Sequence, residues 1–199
     1  MVLAGSVPDK VLAAVGRSLN VALIRPHEPG RAKTADGLTA AAEALRRAGR
    51  IASPYALVAA DPLAALAASW QAMWDVSQPG GAADFEREAV TVLAAWRAGT
   101  FELPDYYLTL SAADSDKADA VPDFYLGPLR SVRPNRVAFV TATEPAQQAV
   151  GVLHVLGSLK HGPWWPPLPD MIDTARGFYP GSLADSAEVE IQRSAPAQG

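Results

Sequence analysis

The chain has 199 residues, a net charge of −4 and no cysteine; hydrophobic residues make up 49% of it, and 39 residues are alanine. With alanine set aside, the larger apolar residues still come to about 30%, enough for a core, which excludes a disordered chain, a collagen-like fibre and a disulfide scaffold. The acidic balance, with a pI near 5.3, argues against electrostatic nucleic-acid binding, and the missing cysteines exclude thiol chemistry and thiolate-built metal sites.

Residues 1–24 carry Asp9, Lys10 and Arg17 and no unbroken apolar stretch, so no signal peptide is expected. The longest uncharged runs, 62–74 and 145–159, are too short to span a bilayer. A cytoplasmic chain that avoids membranes is the expectation. Arginine outnumbers lysine by 13 to 4, which with the alanine excess indicates a GC-rich genome and says nothing of function.

In chain order, Pro8-Asp9 opens a short helix toward Asn20, weakened by Gly16. Val21-Ala22-Leu23-Ile24 is a short apolar run that reads as a buried strand. Thr34 or Asp36 then caps a helix carrying Leu38, Ala41, Ala42 and Leu45 on one face, ended by Gly49, with Arg46, Arg47 and Arg50 complementing its dipole. Ser53-Pro54 and Asp61-Pro62 both read as helix starts, since the side-chain oxygen accepts orphan N–H groups and proline suits the first turn. The second places Leu63, Leu66, Trp70, Met73 and Trp74 on one stripe, the pattern of a core face. After a break at Gln78-Pro79-Gly80-Gly81, Asp84 caps a helix bearing Phe85, Ala89, Val92, Leu93 and Trp96.

The pattern changes beyond Gly99. Tyr106 to Leu110 reads as a strand, 111–120 as a solvated loop, and Asp123 caps a short helix through Arg130. Val137-Ala138-Phe139-Val140 is a strand, and Thr143 caps a helix with Val152, Val155, Leu156 and Leu159 facing inward. A final helix spans 170–178, and the polar end beyond 183 reads as a flexible tail. Alternating strands and helices predict parallel pairing with right-handed crossovers. The fold class expected is mixed α and β: one domain over 1–182, with a helical region at 34–98 and an α/β region at 100–179. Its small parallel sheet is expected mainly from the C-terminal half, joined by Val21–Ile24.

Phosphate-binding, dinucleotide-binding, nucleophile-elbow and H-E-x-x-H patterns are absent, and no cofactor is implied. The weak catalytic candidates are Asp105, Asp123 and His161. The two carboxylates each follow proline and precede aromatics, and on one edge of a sheet they would act as acid and base. Capping is the plainer role for Asp123, and Asp105 precedes its strand rather than following it. His154 is expected partly buried on its helix and His161 at the helix end, where a cation suits the dipole. His27, His154 and His161 show no metal-ligand spacing with either carboxylate, so no metal site is expected.

The most distinctive stretch is Gly162-Pro163-Trp164-Trp165-Pro166-Pro167-Leu168-Pro169. Its prolines hold it extended, and two adjacent tryptophans in extended chain point opposite ways, one to the core and one outward. An exposed tryptophan is a common hot spot, so Trp164, Trp165, Pro166 and Pro167 are the interface candidates. On that reading Trp165→Ala abolishes partner capture without loss of stability. The plainer reading is a stiff connector with both indoles buried. Tyr106, Tyr107, Phe124 and Tyr125 offer a second apolar patch. These features point to a non-catalytic accessory or protein-interaction subunit of a cytosolic assembly. The alternative is a small enzyme or small-molecule-binding domain with a pocket near Asp105, Asp123 and His161.

Overall fold

A computed structural model describes residues 1–5, 7–26, 37–74, 80–110 and 121–178. His27, Thr34, Asp36, the Gln78-Pro79 dipeptide, the loop 111–120 and the expected tail 183–199 lie outside the described residues.

The fold is mixed α and β around a five-stranded parallel sheet. Its strands are β1 (Val2–Ala4), β2 (Val21–Ile24), β3 (Tyr55–Val58), β4 (Tyr107–Leu110) and β5 (Val137–Val140), in the order β2-β3-β1-β4-β5. Three of the five precede residue 60, so the N-terminal region supplies more of the sheet than the pattern indicates. The Ser53-Pro54 helix start is corrected by β3, where Tyr55 pairs with Val21 and Val58 with Ile24. The Ser53 hydroxyl donates to the Asn20 and Tyr55 carbonyls instead of capping a helix.

The helices are α1 (Asp9–Val15), α2 (Gly37–Ala48), α3 (Ala64–Trp74), α4 (Gly81–Arg97), α5 (Val121–Phe124), α6 (Arg130–Val132), α7 (Pro145–Gly157) and α8 (Leu168–Gly177). The route from β1 to β2 runs toward one sheet edge, while every later strand-to-strand step runs toward the other. A crossover of fixed hand then sends α1 to one face and α2 to α6 to the other. α7 returns to pack beside α1, over Leu3, Leu57, Leu108 and Val140. The opposite face holds the larger core, with Val2, Val58, Tyr107 and Val137 under Trp70, Phe85, Phe124, Tyr125 and Trp165.

The α3 stripe is a core face: Leu63, Leu66 and Trp70 are fully buried, and the Trp70 indole N–H donates to the Ala175 carbonyl at 2.8 Å. α4 begins three residues earlier than Asp84, after Gly80 at φ +103°, and Asp84 pairs with Arg87 in its first turn. Gly81 packs so closely that a Cβ there would lie 2.2 Å from the Ala72 carbonyl oxygen. Gly81→Ala must therefore push α3 and α4 apart and is expected to destabilise by about 2 kcal/mol in urea unfolding. Gly157→Ala, with open space around its Cβ, is the control and should be neutral or slightly stabilising.

Between α5 and α6 the chain widens into a π-helical turn, Tyr125–Leu129, that contains Pro128. Proline lacks the N–H for the ordinary helical bond, and its ring clashes with the preceding turn, so the helix widens there. This turn carries Tyr125 into the core.

Candidate functional site

The two tryptophans divide as the extended geometry requires. Trp165 is 5% exposed, packs edge-on against Tyr107 at 5.8 Å, and donates its indole N–H to the Pro104 carbonyl at 2.7 Å. Trp164 points the other way and is 50% exposed. Pro166 is half-buried, and exposed Pro167 precedes α8. The expectation for Trp165→Ala is thereby corrected: Trp165 is a core anchor, and Trp164 is the outward residue. The second patch is corrected too, because Tyr107, Phe124 and Tyr125 are buried and only Tyr106 reaches the surface.

Trp164 is held in place from behind. Five consecutive carbonyls, from Lys160 to Trp164, accept side-chain hydrogen bonds. Tyr106 donates to Lys160, Asn135 to His161, Arg136 to both Gly162 and Pro163, and Arg133 to Trp164. Arg136 also donates to the Asp105 carbonyl at 3.1 Å. Its guanidinium lies 5.1 Å from the Tyr106 ring centre and 4.8 Å from that of Trp164. The stack Tyr106–Arg136–Trp164 covers one indole face and leaves half the residue in solvent. Arginine suits this position because its planar fork bonds carbonyls in its plane while its faces stack on rings.

Asp105 and His161 line one cleft of about 340 Å³, with Met1, Tyr55, Tyr106 and Leu159. Asp123 is not brought to them. Asp105 precedes β4, whereas Asp123 lies inside the first turn of α5, beyond the far end of that strand and not at its cap, so the sheet separates the two carboxyls. Burial raises the Asp123 pKa above its ordinary value. His161 lies four residues beyond α7, whose end is instead capped by Ser158, and His154 faces solvent, so both histidine placements differ from expectation. The helix ends at Gly157 because the chain turns into the bonded extended segment. Among the described residues no three histidines or carboxylates gather in a metal-binding group.

A polar group that the sequence showed only as a cap lies at the carboxyl end of β3. Asp61 Oδ1 accepts the Leu63 N–H at 2.9 Å, and Oδ2 accepts the Tyr125 hydroxyl. Burial raises the Asp61 pKa to about 6, against the lowering effect of those two hydrogen bonds. The Tyr107 hydroxyl, also buried, meets no hydrogen-bond partner among the described residues. Burial and the nearby Asp61 charge push its pKa well above 10. Both Asp61 oxygens are engaged, so the group acts as a latch between α3 and the π-helical turn. Nothing in the spacing of Asp61 and Tyr125 signals it, because the contact joins residues 64 apart.

Comparison of the chain with protein-family models, curated proteins and solved structures finds no match.

Proposed function

We propose that the chain is a non-catalytic interaction subunit that docks a partner protein through Trp164. The observation that carries this reading is the half-exposed indole on a segment whose backbone is fixed at every carbonyl from Lys160 to Trp164. Such a residue has little freedom left to lose on binding, so its buried area converts efficiently into affinity. Tryptophan is also the side chain most enriched at hot spots. The net charge of −4 favours a protein partner over nucleic acid. Among the described residues no helix is long and apolar enough to cross a membrane; the proposed setting is a cytosolic assembly.

Affinity capture from native cells tests the reading. Trp164→Ala is expected to abolish recovery of a partner seen with the natural chain while changing the unfolding free energy by less than about 1 kcal/mol. Equal recovery by the folded variant would refute the interface. The alternative, a small enzyme or small-molecule-binding domain, retains one support: Asp105 and His161 share a cleft.

A further inference from the structure

We infer that the Trp164 surface takes an extended protein segment presenting an aspartate or glutamate side chain to Arg133 and an apolar residue to the indole. This rests on the interaction reading above and adds the chemistry of the partner.

Arg133 holds the displayed residue by its backbone, while Arg136 stacks on its ring. The Arg133 Nε donates to the Trp164 carbonyl at 2.6 Å and its Nη1 to its neighbour Val132 at 2.8 Å. Its Nη2 donates to no described residue, and the second Nη1 hydrogen is likewise uncommitted. The guanidinium thus keeps three N–H donors, two on Nη2 and one on Nη1, for a carboxylate to accept. No described carboxylate lies within ion-pair distance of Arg133 or Arg136; the ion pairs among described residues involve Arg25, Arg87 and Arg176. The carbonyls around these two arginines satisfy hydrogen bonds but carry no formal charge. One positive charge therefore lies against the exposed indole and a second at its backbone carbonyl, in a chain that is negative overall. Charge complementarity selects an acidic group. Exposed Pro163 and Pro167, on either side of the tryptophan in sequence, add apolar surface of the kind that extended chain docks on.

The test uses the full chain and a displayed library of linear peptides with no free C-terminus, counter-selected on Trp164→Ala. The expected result is peptides carrying Asp or Glu beside an apolar residue. The selected peptide, synthesised with an amidated C-terminus, is then titrated by calorimetry. Replacing its acidic residue by the amide should weaken binding to the natural chain about tenfold and to Arg133→Gln less than twofold. Glutamine keeps a donor for the Trp164 carbonyl; should Arg133→Gln fail to fold, the tenfold loss on the peptide side and its disappearance at high salt decide the matter. Trp164-dependent peptides without a carboxylate would overturn this inference and leave the interaction reading standing. Absence of any Trp164-dependent peptide, or a single-stranded oligonucleotide that competes at Arg133 and Trp164, would overturn it as well. The interaction reading itself is tested separately, by the capture experiment.

Discussion

Trp165→Ala should lower the unfolding free energy by about 4 kcal/mol, the range typical of a buried tryptophan or phenylalanine cut back to alanine. Its indole fills the core over β4 against Tyr107, and removing it also strands the Pro104 carbonyl that accepts its N–H. The substitution costs twice over: it opens a cavity, and it frees the extended segment from the core. Urea unfolding of the natural chain, Trp165→Ala and Trp164→Ala checks this. A loss at Trp165 of less than about 1 kcal/mol, or an equal loss at both positions, would contradict the assignment of anchor and displayed residue.

Asp61→Asn should stabilise the chain near pH 7. The carboxyl titrates near 6 in the fold against an ordinary value of 3.8. A raised folded-state pKa means that the fold prefers the protonated form. Stability from this group is fully present below pH 3.8 and is lost as pH rises through 6. The whole loss corresponds to about 3 kcal/mol. Asparagine stays neutral, keeps an acceptor for the Leu63 N–H, and offers an N–H to the Tyr125 oxygen. The difference in unfolding free energy between variant and natural chain should therefore grow between pH 4 and 6, then level off with the variant more stable by about 2–3 kcal/mol. A variant less stable at pH 7 would show that the charged latch holds α3 to the π-helical turn better than the neutral one, and a difference that does not change with pH would show that the fold leaves the Asp61 pKa unshifted.

These two residues also mark where sequence reading succeeds and where it stops. Val137–Val140 and Val21–Ile24 were legible with their bounds because each is a short apolar run closed off by proline or asparagine, and parallel strands buried on both faces look like this. The α3 stripe was legible because helical periodicity survives over three turns. β1 has three residues, too few for any period to show. β3 was hidden because Ser53-Pro54 carries the same local signals as a helix start, and only pairing with β2 decides between them. The Trp-Trp pair indicated that one ring turns inward, but which one depends on Pro104 and Tyr107, about sixty residues earlier. The clamp is illegible for the same reason. Arg133 and Arg136 read as part of a break after a short helix, and only the return of the chain from α7 brings the Lys160–Trp164 carbonyls to them. In the sequence Asp61 reads as a cap, which it is; its burial comes from Tyr125 and the aromatic core that the π-helical turn carries over it.

The division of the chain follows from these contacts. Alanine-rich helices support the sheet from one face, and the aromatic half converts that support into a fixed surface at the strands' amino ends. Amide hydrogen exchange on the isolated chain and on the complex recovered by capture tests that claim most directly. Peptides spanning residues 160–167 and 130–136 should gain protection in the complex, while those covering Asp61 and α7 exchange as before. Protection confined to the Asp61 end of the sheet or to α7, with 160–167 exchanging unchanged, would contradict it.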